Sequence, residues 1–276
     1  MRNHENRLAL GVDRGGTSTR LLLIDGRGKE LKRAVFPSAS FRLLPALLIK
    51  TAAAWGIGPE VPAVIASRGV MTRKWKKPFL LKKTRGKINL VAVISDAEAA
   101  YLAAHGTKTG AALLIAGTGA VLFFKNPRNG EFIKTGGFLP PGGDPGSGLW
   151  LGARYLRISG KRRKGIGRRE AAAFASSALT AAKKGNAAAM ELVREAQSHL
   201  SDLLAEALRH RAAPRPLKLA LAGGLMGDEF FRKGFISSAR ERTPRGRVVF
   251  TGLARSAERA AADLAVSIYY ARNKNP

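Results

Sequence analysis

Asp13, followed directly by Arg14-Gly15-Gly16-Thr17, ends an apolar run at Leu8–Val12, the position at which α/β sheets present ligand-binding groups. Glycines free backbone N–H groups to cradle phosphate oxygens, Thr17 adds a hydroxyl, and Asp13 can hold a hydrated magnesium ion. The same residues also describe an ordinary hairpin with a turn carboxylate, and the local pattern leaves both readings open. Asp96 follows a second apolar run, Leu90–Ile94, where it can cap a helix or serve as a general base. Gly117-Thr118-Gly119 offers a second phosphate turn, and Gly223-Gly224 a flat approach for a base or ribose. No glycine-lysine-serine or glycine-lysine-threonine completes a P-loop.

The elements that carry these residues form a repeat. LALGVDRGGTSTRLLLIDGRGKEL and ALLIAGTGAVLFFKNPRNGEF each set Gly-Thr between two apolar runs, and the interval from Thr17 to Glu30 equals that from Thr118 to Glu131. Strands are expected at Leu8–Val12, Arg20–Ile24, Glu30–Val35, Ala63–Ala66 and Leu90–Ile94, with a helix over Leu43–Trp55. Asp96 opens a helix that Gly106 stops. Beyond the second hairpin come a glycine-dense stretch, Gly136–Gly152, and helices at Arg169–Lys184 and Ala187–Arg211, closed by Pro214 and Pro216. Strands Leu217–Ala222 and Val248–Thr251 and a closing helix, Ser256–Ala271, complete two α/β lobes with a glycine-rich crevice between them.

Composition sets limits on function. The 276 residues are 45% hydrophobic and 24% charged, values of an ordinary globular protein with a substantial core. There is no cysteine, which excludes disulfides, thiolate metal sites and cysteine-bound iron–sulfur clusters and fits a cytoplasmic location. No stretch reaches the roughly 20 apolar residues of a membrane span, and Met1–Asn6 is too polar to begin a signal peptide. The formal charge of +29 attracts polyanions, nucleic acid among them. Two clusters stand out: Thr72–Lys87, where Lys74, Lys76 and Lys77 flank Trp75, and Gly160–Arg169, with Lys161, Arg162, Arg163 and Lys164. Solvated basic loops account for both more simply than a nucleic-acid partner does, since no recognition motif accompanies them.

The order of the motifs adds a likeness. D-x-G-G-T at Asp13, S-D-A-E-A-A at Ser95, A-G-T-G-A at Ala116, the Gly136–Gly152 stretch and L-A-G-G-L at Leu221 together resemble the sugar kinase, Hsp70 and actin superfamily. Within it the chain is similar to the N-acetylglucosamine kinase and BadF/BadG-type ATPase branch, from Leu8 to about Ala271. That resemblance implies a two-lobed actin-like ATPase (ribonuclease H-like) fold with duplicated mixed sheets flanked by helices. Residues 1–103 joined by helix 256–276 would form one lobe and 104–255 the other, with the nucleotide and substrate cleft between them. It implies ATP and Mg2+, with Asp13, Gly15, Gly16 and Thr17 as the first phosphate motif and Asp13 on the metal side. Gly117, Thr118 and Gly119 would be the second phosphate motif, and Gly223 and Gly224 would lie against adenosine. Asp96 would take the proton from a sugar or amino-sugar hydroxyl, and Gly136, Gly137, Asp144 and Ser147 would lie on the substrate side. A small-molecule sugar is the implied partner, and a homodimer is compatible with the likeness.

Departures from the family pattern fall in the acceptor pocket. Phe138 and Leu139 follow Gly136-Gly137 where tryptophan-glycine is usual, Pro145 replaces a glutamate, and Ala39 or Ser40 stands where an asparagine is usual. Ala120 replaces a serine in the second phosphate turn. These changes leave open a nucleotide-binding protein with a lost or altered acceptor. An ATPase of the reductase-activator type is disfavoured by the absence of the cysteines such proteins use for a shared iron–sulfur cluster.

Overall fold

A computed structural model describes residues 7–38, 40–138, 140–141, 143–160, 165–209 and 216–272. Ala39, Leu139, Lys161, Arg162, Arg163, Lys164, Arg211 and Pro214, on which sequence expectations fell, lie outside the described residues. The chain divides into two compact units, one made of the segment up to Gly106 plus the segment from Ala254, the other of Thr107–Leu253.

In the first unit, β1 (Ala9–Arg14), β2 (Ser18–Ile24) and β3 (Glu30–Pro37) form an antiparallel meander. Asp25 makes the second turn, its carboxylate accepting from the N–H groups of Arg27 and Lys29 at 2.9 and 2.8 Å. A short 3-10 turn at Phe41–Leu43 leads into α1 (Leu44–Trp55), which carries Pro45 in its first turn and stops at Gly56, φ +69°. Then β4 (Pro62–Ser67), α2 (Lys76–Thr84), β5 (Asn89–Ile94) and α3 (Asp96–His105) follow. β4 pairs parallel with β1 and β5 with β4, giving the order β3-β2-β1-β4-β5. Helix α2 corrects the expectation of a solvated basic loop: Lys76, Leu80 and Thr84 recur at helical spacing and are buried, so the apolar stripe beneath the cations governs the segment.

The second unit repeats this plan. β6 (Ala111–Ala116), β7 (Ala120–Lys125) and β8 (Phe132–Gly136) form the meander. Helices α4 (Gly148–Ile158), α5 (Arg168–Lys183) and α6 (Ala187–Leu208) precede β9 (Leu217–Ala222), α7 (Gly224–Gly227), α8 (Glu229–Arg242) and β10 (Val248–Thr251). The sheet order, β10-β9-β6-β7-β8, is that of the first sheet read from the other edge, with β9 parallel to β6 and β10 parallel to β9. The glycine-dense stretch therefore contains a helix, α4, and Gly152 serves packing, since a Cβ there would lie 2.0 Å from the Ala171 carbonyl oxygen of α5. Leu113, Leu114, Leu200 and Leu204 are fully buried, and each such side chain contributes about 1.5–3 kcal/mol.

The last helix, α9 (Ala257–Arg272), returns to the first sheet. It crosses β1 at Gly11, where a Cβ would stand 1.9 Å from the Glu258 carbonyl oxygen, so only glycine permits the approach. Its alanines 261, 262 and 265 pack with Ala9, Leu22, Ile24 and Val64. Among the described residues no helix is long and apolar enough to cross a membrane.

Candidate active site

Asp13 sits in β1 opposite Arg20 of β2, and the turn between them is closed by Gly15 N–H donating to the Ser18 carbonyl at 2.9 Å. Ser38 straps that turn from the end of β3: its hydroxyl donates to the Gly15 carbonyl at 2.8 Å and its N–H to the Thr17 carbonyl at 2.9 Å. Gly16 and Thr17 are exposed at the tip. Asp13 is only 8% exposed, and Arg20 reaches its Oδ2 at a long 3.5 Å. Burial pushes the carboxyl up from 3.8 to about 6, repulsion from Glu258 and Asp96 adds to the rise, and Arg20 opposes it.

Glu258 is the residue that sequence reasoning missed. It is 2% exposed, and its carboxylate accepts from Arg33 Nη1 at 2.5 Å, while Glu30 holds the other edge of that guanidinium at 2.7 and 2.9 Å. An acid in the first turn of an alanine-rich helix was the available signal, but its partner lies 225 residues away.

Asp96 is the first residue of α3 and is exposed. The cap belongs to Ser95 instead: its hydroxyl accepts from Glu98 N–H at 3.0 Å, and Ser95 N–H donates to Glu98 Oε2 at 2.7 Å. This corrects the capping alternative for Asp96, whose Oδ1 accepts only the adjacent Ala97 N–H, at 3.1 Å, among the bonds that hold the helix start.

In the second unit, Gly117 N–H donates across the β6–β7 turn to the Gly119 carbonyl at 2.9 Å, and the α4 N-terminus docks on it through Gly148 N–H to the Gly117 carbonyl at 2.6 Å. Asp144, 3% exposed, braces the same hairpin by accepting from Ala120 N–H at 3.1 Å. Ser147 caps α4, accepting from Trp150 N–H at 3.2 Å. A cavity of about 690 Å3 opens beside the turn, lined by Gly117, Thr118, Gly148, Arg169, Gly224 and Asp228 among others. Gly223 lies behind it with φ +97°, where a Cβ would meet the Ala116 carbonyl oxygen at 2.3 Å. Gly117 and Gly224, by contrast, have nothing within 4 Å of a built Cβ and no positive φ, so the fold itself does not require glycine there. Gly136 and Gly137 both have positive φ, 75° and 69°, and Phe138 after them is 83% exposed rather than filling a pocket.

A family model matches residues 10–255, nearly the whole chain, and describes the BadF/BadG/BcrA/BcrD ATPase family. The chain belongs to that family. No curated protein sequence matches it. Solved structures similar to this family member include a candidate N-acetylglucosamine kinase from Chromobacterium violaceum, at 22% identity and TM-score 0.68, covering 94% of this chain and 99% of that one. A candidate N-acetylmannosamine kinase from Listeria monocytogenes aligns at 15% identity and TM-score 0.70, covering 96% and 99%. A ROK family glucokinase from Streptomyces griseus, in complex with glucose and AMPPNP, aligns at 20% identity and TM-score 0.60, covering 94% and 99%. The two five-stranded mixed sheets flanked by helices are those of the actin-like ATPase fold.

For this ATPase-family chain, the fit of a magnesium ion rests on donor chemistry. Among the described residues no three of His, Cys, Asp and Glu converge to cage an ion. Magnesium needs fewer, because it keeps several waters and takes one or two carboxylates plus phosphate oxygens. Asp13, a hard oxygen donor with two more carboxylates in electrostatic reach, meets that requirement.

Proposed function

We propose that the protein transfers the terminal phosphoryl group of ATP to a hydroxyl of a sugar or amino sugar. Membership of an ATPase family supports nucleotide turnover, and a glucokinase neighbour bound to glucose and AMPPNP supports a sugar acceptor. The observation that carries the reading is Asp96: an exposed carboxylate just beyond β5, relieved of capping by Ser95 and Glu98.

In the second unit the 690 Å3 cavity receives adenosine along Gly224, and the size suits a nucleoside. The Thr118 hydroxyl and the turn's N–H groups meet phosphate oxygens. In the first unit Asp13 would be the residue to hold magnesium, and the Gly15–Thr17 turn would add donors. Magnesium, when bound, neutralises charge on the β- and γ-phosphates. Asp96 accepts the proton of the acceptor hydroxyl as its oxygen bonds the γ-phosphorus; the bond from that phosphorus to the bridging oxygen breaks, and ADP leaves with the electron pair. Base catalysis supplies about 10²–10⁴ of the rate, and positioning with charge neutralisation supplies the larger share.

The test is a panel of hexoses, hexosamines and sugar acids with ATP and magnesium, read by ADP release and by the phosphorus resonance of a new sugar monophosphate. One acceptor is expected to give stoichiometric ADP and phosphomonoester. ADP release that no sugar raises above the water background would overturn the reading.

A further inference from the structure

The first unit gathers cations beside Asp96. Arg14 ends β1, and the loop after β4 supplies Arg68 and Arg73 before α2 begins with Lys76. Backbone bonds fix their spacing: Arg68 N–H donates to the Arg14 carbonyl at 3.4 Å, Arg73 N–H to Gly69 at 3.0 Å and Lys76 N–H to Arg73 at 3.0 Å. Gly69, at φ +75°, makes room for two of them, since Lys76 Nζ and Arg73 Cδ lie 3.3 and 4.0 Å from a Cβ built there. Lys76 is 5% exposed; its ammonium donates to the Arg68 carbonyl and lies 4.5 Å from the centre of the Phe41 ring, with the Arg14 guanidinium 5.6 Å from the same ring. Burial depresses the Lys76 ammonium, and Arg14, Arg73 and Arg68 repel it, while Asp96 alone among the acids acting on it opposes them.

Holding the buried Lys76 ammonium close to other cations is costly, and an anion brought beside it offsets that cost. A second observation points the same way. Ser67, opposite Arg14 in the β1–β4 register and so on the same face of the sheet, has a fully buried hydroxyl that bonds no described residue. Arg14 also borders a cavity of about 430 Å3 with Phe36, Ser40 and Lys50, and no acid lines it.

We infer that this cluster receives an anionic group carried by the acceptor, so that the sugar phosphorylated is an acidic one, bearing a carboxylate or a phosphate. The inference rests on the kinase reading, because it takes the neighbourhood of Asp96 as the acceptor's. Arg68 and Arg73, both exposed, are the reachable donors; Lys76 and Arg14 set the potential, and Ser67 is a donor within it.

The experiment compares one scaffold in three forms with the full chain: N-acetylglucosamine, its 3-O-lactyl ether and its 6-phosphate. An acidic form is expected to exceed the neutral sugar in kcat/KM by about 10–100-fold, and whether it is the lactyl ether or the phosphate identifies the anion. Arg73→Ala and Arg68→Ala should each raise the KM of the acidic acceptor about tenfold, with the KM for ATP and for the neutral sugar within about twofold. Arg73→Lys should recover part of the loss, which a folding defect would not. A neutral sugar preferred over both acids, or variants that raise the KM for ATP equally, would overturn the inference. If no acceptor turns over, calorimetry with a non-hydrolysable ATP analogue separates the two claims. Binding of an acidic form that Arg73→Ala abolishes upholds the anion site while the kinase reading falls; no preference for the acids removes the anion site.

Discussion

The two glycine-threonine hairpins share strand order but differ in their turns, closed by the pair Arg14–Thr19 in the first and Ala116–Ala120 in the second, and in where their carboxylate comes from. In the first, Asp13 belongs to the strand itself and is buried, its ion pair to Arg20 stretched to 3.5 Å. In the second, Ala116 precedes the Gly-Thr, and the acid arrives from the loop before α4, where Asp144 accepts from Ala120 N–H. One acid is held at a cost by burial; the other accepts from the backbone of its own hairpin. The same contrast separates glycines that the fold demands, such as Gly223, from those it leaves open, Gly117 and Gly224.

Four substitutions sharpen the contrast, in order of expected effect. Gly223→Ala combines a left-handed backbone with a backbone clash and should destabilise the protein by roughly 3–5 kcal/mol, read by denaturant unfolding. A fully stable variant would mean that Gly223 is not structural.

Asp13→Asn should stabilise the metal-free protein at neutral pH. The folded carboxyl titrates near 6 rather than 3.8, so the folded state binds the proton more tightly, and stability present below about pH 4 is lost as pH rises through 6. The lost amount is about 3 kcal/mol, taking 1.36 kcal/mol per unit over the shift from 3.8 to about 6. Thermal melts of wild type and variant should converge at pH 4 and separate by pH 7; parallel curves would refute the strained-carboxylate account.

Gly117→Ala and Gly224→Ala should change stability by less than about 1 kcal/mol, since no atom stands in the way. On the proposed nucleotide site, each should weaken nucleotide binding about tenfold or more, because a methyl group would fill space the nucleotide needs. Loss of stability with unchanged nucleotide affinity would assign these glycines to the fold.

Legibility followed what is local. Strands Leu217–Ala222 and Val248–Thr251 emerge with the expected boundaries, because short apolar runs end at Gly223 and Gly252. Helix α2 was hidden because one of its buried positions is Lys76, whose polarity conceals the stripe. Helix α4 was hidden by Gly148 and Gly152, which read as loop residues but serve close contacts with Gly117 and Ala171. Helix α8 passed unread although Phe231, Phe235 and Ala239 repeat every fourth residue, because charged residues and Gly234 dilute the pattern. At the site, Asp13, Asp96 and the Gly-Thr turns stood out through position and type. Glu258, Ser67 and the cations around Phe41 did not, since their significance lies in contacts between segments remote in sequence.

The central claim is that Asp96 takes the acceptor proton and does nothing for the nucleotide. Asp96→Asn should therefore bind magnesium-ATP within about twofold of wild type by calorimetry, while its kcat for phosphoryl transfer falls by about 10²–10⁴. A variant as active as wild type, or one that loses ATP affinity together with activity, would contradict it.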